Sequence, residues 1–217
     1  MADANIQAAF DSLDEFCRLD GWTPARQTWT YASATTITVP AGAASIYSVG
    51  DKIKITQTTV KYFSIIAVAD TLLTVTAGLD YSVANAAITN NFYSKKINPV
   101  GFPRTFDWTG ASGLNAQGFS SLTNNGCIFS IQGRVVSVRI NIIGTSNATT
   151  LTATLPVTPA SDPQLIFRAR DNTSTYTVGL LICTGTAMAF YPLLATTSTW
   201  TNSGTKGSGV IYFFYFL

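Results

Sequence analysis

The chain has 217 residues, 47% of them apolar and only 11% charged, and 13 basic residues against 11 acidic ones give a net charge of +2. That length and apolar content suffice for one large or two modest β cores, which excludes global disorder. The basic residues are scattered, and the tightest groups, Lys95-Lys96 and Arg168-Ala169-Arg170, are too small to track the phosphates of a nucleic acid.

A helix is expected over residues 1–20. Asp3 is placed to cap it, Ile6, Phe10, Leu13 and Cys17 form its apolar stripe, Phe16 widens the stripe, and Gly21 suits its end. About fifteen residues are marginal for an isolated helix. The stripe must therefore pack on the following domain, on sister helices in an oligomer, or on a docking partner. The first twenty residues hold five carboxylates and no basic opening, so no signal peptide is expected. No apolar run reaches the length of a membrane-spanning helix.

From Trp22 the helical period gives way to alternation. Thr28 to Val39 alternates threonine with apolar or aromatic residues and reads as one strand, closed by Pro40-Ala41-Gly42. Gly50-Asp51 turns into Lys52-Ile53-Lys54-Ile55, Lys61 to Val68 is another strand, and Asp70-Thr71 turns into Leu72 to Thr76. A small antiparallel barrel or sandwich is expected over residues 21–97. Asn98-Pro-Val-Gly-Phe-Pro and Thr109-Gly-Ala-Ser-Gly113 then read as a linker over residues 98–113.

Residues 114–217 are again strand-rich, with runs at Cys127 to Gln132, Val135 to Ile143, Thr150 to Leu155, Gln164 to Arg170, Tyr176 to Cys183, Thr186 to Tyr191 and Val210 to Leu217. Such a count in about a hundred residues fits a jelly-roll-like β-sandwich. The fold class expected is mainly β. The last strand is apolar or aromatic on both faces. One face can line the core, and the other is covered either by further strands of the same subunit or by a subunit interface. Ile211, Phe213 and Tyr215, with Ile6, Phe10 and Leu13 of the helix, are the expected interface residues. An outer-membrane barrel, suggested by the terminal aromatic alternation, is disfavoured by the absent signal peptide and the linker, so no membrane insertion is expected.

Histidine is absent from the sequence. Serine–histidine and cysteine–histidine nucleophile pairs and Cys/His zinc sites are thereby removed. Cys17, Cys127 and Cys183 are odd in number and widely spaced, without the pattern of a disulfide framework. Asp51, Asp70 and Asp80 sit beside turn residues, where aspartate serves turn geometry. Asp162 and Asp171 bracket one strand and meet only by accident of topology. No enzyme, cofactor or metal site is expected. What remains are loops rich in Asn, Thr and Ser around Asn147, Asn172 with Tyr176, and Trp200 with Asn202. Polar groups beside an aromatic platform suit a glycan or protein ligand, although Trp200 can equally be tucked onto its own sandwich edge.

Tyr47-Ser-Val-Gly-Asp-Lys-Ile-Lys-Ile55, Lys61-Tyr-Phe63, Asp80-Tyr-Ser-Val-Ala-Asn-Ala-Ala-Ile88 and Asn98-Pro-Val-Gly-Phe-Pro103 resemble the N-terminal modules of phage minor structural and tail-fibre proteins. Gly133 to Ile142, Gly144-Thr-Ser-Asn147, Thr152-Ala-Thr-Leu-Pro156 and Gly209 to Tyr215 resemble the tumour-necrosis-factor-like jelly-roll heads of trimeric fibres. The resemblance implies a homotrimer in a virion, made in the host cytoplasm, with other tail or head proteins as partners. Its task would be receptor binding at a host surface glycan, or a purely structural place in head or tail. No catalytic residues come with it. The long repetitive shaft of such fibres is missing here.

Overall fold

The computed structural model describes residues 20–172 and 175–217, together with Ile6. The expected helix of residues 1–20 lies outside them apart from its last residue and Ile6, which is helical and 53% exposed. The described residues are mainly β and fall into two compact units. One runs up to Thr76 and resumes at Tyr81–Arg104; Ala77–Asp80 and Thr105–Leu217 form the other.

The first unit holds strands β1 (Thr23–Pro24), β2 (Thr30–Ser33), β3 (Thr36–Thr38), β4 (Lys52–Thr56), β5 (Val60–Ala69), β6 (Leu72–Thr76) and β7 (Thr89–Ser94), with one helical turn at Ala43–Ile46. They make one antiparallel sheet in the order β1-β7-β4-β5-β6-β3-β2. Its two end strands, β1 and β2, are neighbours in sequence. A flat seven-stranded sheet is about 29 Å across at ~4.8 Å per step. The step from Pro24 to Thr30 reaches at most about 21 Å. The sheet must curl.

Trp29, Ile37, Tyr47, Ile53, Phe63 and Leu73, each at most 2% exposed, fill this core. Trp29 and Tyr47 meet edge to face at 5.8 Å, and the Tyr47 hydroxyl donates to Gln27 Oε1 at 2.7 Å. Thr28 to Val39 is not the single strand expected. Ala34 and Thr35 turn it into the β2–β3 hairpin, because Ser33 Oγ accepts from Thr35 N–H at 3.2 Å and bonds Thr36 Oγ1 at 2.6 Å.

The second unit holds β8 (Phe106–Asp107), β9 (Phe119–Gln132), β10 (Val135–Ser146), β11 (Leu151–Thr154), β12 (Gln164–Asp171), β13 (Thr177–Thr184), β14 (Ala187–Tyr191), β15 (Thr205–Ser208) and β16 (Ile211–Phe216). The sheet order is β11-β14-β13-β12-β15-β10-β9-β8, with β16 on β10. β11 and β8 are its ends, and the segment after β8 ties them together. Trp108 Nε1 donates to Thr154 O at 3.0 Å, Thr154 N to Leu114 O at 2.8 Å and Gln117 N to Thr152 O at 2.8 Å. A sandwich-like fold thus arises from one sheet folded over on itself. Residues 105–113, expected as loose linker, are built into this unit, and Gly113 and Leu114 are buried. β9 starts eight residues earlier than the apolar run at Cys127, because β10 pairs it as far as Phe119.

Gly78 and Gly133 share nearly the same φ, +59° and +57°, but not the same surroundings. A Cβ at Gly78 would overlap the Asp107 carbonyl, whereas one at Gly133, in the two-residue β9–β10 turn, meets nothing within 4 Å. Gly133→Ala is therefore expected to cost about 1–2 kcal/mol from backbone strain alone. Gly78→Ala should cost a further ~1–3 kcal/mol for the overlap. Urea denaturation of the two variants checks the difference; equal losses would remove the steric account.

Candidate functional site: an aromatic sheet face and a braced loop end

β16 pairs with the first half of β10 in the register Val136↔Tyr215, Val138↔Phe213 and Ile140↔Ile211. Val136, Val138 and Ile140 face the core at 0–2% exposure. Partners across a ladder share a face, so Ile211 and Tyr215 turn inward, at 5% and 3% exposure. Tyr215 OH donates to Val157 O at 2.8 Å within the core. These two expected interface residues therefore belong to the interior of this unit, and Phe213 is half-buried beside them. Phe10 and Leu13 lie outside the described residues.

The face left in water is the other one. Tyr212, Phe214 and Phe216 are 72%, 64% and 56% exposed. Opposite them on β10 stand Arg139, Ser137 and Val135. Arg139 Nε donates to Tyr212 OH at 3.1 Å. A groove of about 370 Å³ runs beside Phe214 between Ile128, Ser130 and Arg139, and one of about 380 Å³ lies between β12 and β16, lined by Ile166, Val178, Val210 and Tyr212. The chain just past the strand is tied to the β9–β10 turn: Arg134 Nε and Nη2 both donate to Leu217 O, at 2.8 and 2.5 Å, and Leu217 N donates to Arg134 O at 2.8 Å.

The loops singled out in the sequence do meet at one end of this unit. Thr201 N donates to both Asp171 oxygens at 3.0 and 3.1 Å, Thr201 Oγ1 to Asp171 Oδ2 at 3.2 Å, and Ser146 Oγ to Thr201 O at 2.6 Å. Asn172 N donates to Thr205 O at 2.7 Å and Asn147 N to Gly118 O at 3.2 Å. Asn147, Asn172 and Asn202 are exposed. Trp200 is not a platform for them. It is 2% exposed, and its indole N–H donates to Phe190 O at 2.7 Å. The Tyr176 ring is turned onto the sheet face, with the Arg168 guanidinium 4.3 Å from its ring centre.

Asp162 and Asp171 are both occupied with main-chain N–H groups, Asp162 with Gly185 at 2.8 Å. The strand between them separates them by about 25 Å, far beyond the span of a glycosidase carboxyl pair.

Two buried lysines were not legible as such. Lys206 Nζ donates to Ala148 O at 2.6 Å and Thr150 O at 2.7 Å and lies 5.3 Å from the Phe119 ring centre. In the first unit Lys52 Nζ donates to Ser64 Oγ at 3.1 Å and lies 5.2 Å from Phe102. Burial pulls both ammonium groups down to about 8, against smaller upward pulls from Asp171 and Asp51 respectively. Burial also pushes the Cys127 and Cys183 thiols up to about 12, helped by Asp107 and Asp162 respectively.

Compared with known proteins, the chain matches no family model, no curated protein and no solved structure.

These groups set opposing pH slopes. Between pH 8 and the ordinary lysine value of about 10.4, the unfolded chain holds more lysine protons than the folded one, so stability rises with pH. Between the ordinary thiol value of about 8.5 and 12, the folded chain holds more thiol protons, so stability falls with pH. Two lysines against two cysteines should leave a plateau near pH 9–10, then a steep loss as Tyr47, pushed to about 12 by burial, joins the thiols. Replacing Cys127 and Cys183 by Ala should turn that plateau into a rise. Denaturation midpoints across the range read this directly, and an unchanged plateau would count against it.

Proposed function

We propose that the protein is a non-enzymatic virion component: a homotrimeric phage tail-fibre or tail-tip appendage that binds the host cell surface, the role implied by its resemblance to such proteins. The observation that carries the reading is the outward face of β16. Tyr212, Phe214 and Phe216, at 56–72% exposure, leave roughly 400 Å² of aromatic surface in water. A monomer's largest patch is typically about 300–600 Å². Ile166, Val178 and Val210, 47–65% exposed, continue the face across the β12–β16 groove. Together they approach the ~800 Å² that one partner gives to a standard interface.

Two features suit a second copy as the cover. The face is apolar at its centre, and Arg139 and Arg168 stack on the rings of Tyr212 and Tyr176. A chain with 11% charged residues also has little else with which to keep such a face solvated. Assembly through this face leaves the braced loop end, with Asn147, Asn172 and Asn202, free to meet a host surface. A purely structural virion part, a head decoration or tail connection, would use the same assembly, and the burial of Trp200 favours it by removing the aromatic platform from that end.

Light scattering should give three times the chain mass for the native protein. Phe214→Glu, at an exposed position, should give the single-chain mass with an unchanged circular-dichroism spectrum. A monodisperse native monomer would overturn the assembly. Adsorption of the labelled trimer to intact bacterial cells separates receptor binding from the structural role.

A further inference from the structure

The outward face of the second unit changes character from one end to the other. Near β16 it is aromatic. Across β11, β14 and β13 it becomes a shallow trough of about 380 Å³ lined by uncharged residues alone. Ala187 and Ala189 of β14 are its floor. Register places Thr152 of β11 beside Ala189, and Thr184 of β13 beside Ala187. Gln117, bridged to Thr152, extends one wall, and Tyr191 stands at the end of β14. The walls are two inter-strand steps apart, about 10 Å, a width that suits a single extended chain.

Thr154 Oγ1 is spent on Gly113 O and Leu114 O, but the other hydroxyls here are uncommitted, unlike those of the loop end. Ser146, Asp171, Thr201 and Lys206 are spent on one another and on main-chain groups. The side chains of Thr152, Thr184 and Tyr191 hydrogen-bond no other described residue, and Gln117 Nε2 is held by Asn115 Oδ1 at 2.7 Å, leaving its carbonyl oxygen open. We propose that this trough is a binding site for a neutral, linear oligosaccharide. The alanine methyls offer a flat apolar strip to the C–H face of a sugar ring, and hydroxyls and an amide on both sides face its hydroxyls. An extended peptide has less to hold. The N–H and C=O groups of β14 are already paired with β11 and β13, so strand addition is unavailable on this face. The absence of lining charge selects against acidic sugars. This inference rests on the host-surface reading above and gives it a site on the sheet face rather than on the loop tips.

The intact chain, titrated by calorimetry with maltohexaose, cellohexaose and mannohexaose, and with hexagalacturonate as the acidic counterpart, tests it. At least one neutral sugar should saturate the protein below about 10 mM. Ala189→Trp, which fills the floor from its solvent side, should weaken that binding by about tenfold or more, and Val60→Ser, at an exposed position of the first unit, should leave it unchanged. Should Ala189→Trp fail to fold, Thr152→Ala combined with Thr184→Ala carries the same expectation. Saturation by none of the neutral sugars, binding of hexagalacturonate alone, or an affinity indifferent to the folded trough variants would overturn the proposal. The mass of the same samples by light scattering keeps the two readings apart: a trimer that binds no neutral sugar loses the trough and retains the assembly.

Discussion

Each unit is a single antiparallel sheet whose end strands must find cover, and the curling that brings those ends together organises the rest of the molecule. In the first unit the short step from Pro24 to Thr30 imposes it. In the second, no covalent link is short enough, and the bonds of Trp108, Leu114 and Gln117 to β11 do the work instead. β10 is the pivot there. One edge pairs with β9 along its whole length, and the other takes β15 and then β16 in succession. The register shifts after Ile143 and Thr145 are the bulges that tighten its twist. Because β15 stays on β12 while β16 parts from it, a groove opens between β12 and β16 and the sheet face carries relief.

Scarcity of charge shapes the interior as well as the surface. Lys54 lies with its ammonium 4.9 Å and 4.3 Å from the ring centres of Trp22 and Phe92. Its stem and that of Lys52 thus serve as apolar surface under an aromatic cover. Lys206 braces the turn after β10 through two carbonyls, and Asp171 braces the loop before β15. Nearly every charge near these cores has a mechanical use. Little is left to mask an exposed aromatic strand, and the β16 face stands out for that reason. The same outward surface that is aromatic at β16 is lined by hydroxyls and amides over β11, β14 and β13, so the proposed assembly face and the proposed sugar trough use different residues of one sheet.

Much of this was visible in the residues. Within Val135 to Ile143, Val136, Val138, Ile140 and Ile142 recur at every second residue, and the structure keeps that set buried. The loops at Asn147, Asn172 and Asn202 are alike in composition, and only the fold brings them to one end of the second unit. Other features left no mark. The hairpin within Thr28 to Val39 hides in an unbroken alternation, because serine and threonine hydroxyls, not glycine or proline, make the turn. β15 hides because Thr-Lys-Gly-Ser is polar, and it is a strand only because β10 and β12 stand ready on either side.

The residues alone carry the strand-rich class, the short alternating segments, and a terminal strand that is apolar or aromatic on both faces. They could not say which face is which. Ile211, Phe213 and Tyr215 are as apolar as Tyr212, Phe214 and Phe216, and shifting the pairing by one residue exchanges the two sets. The tertiary structure decided it through the β10–β16 register and the bond from Tyr215 to Val157. It also decided that Trp200 belongs to the core, because the carbonyl that satisfies its indole lies on β14, ten residues away in sequence but directly beneath it in the fold.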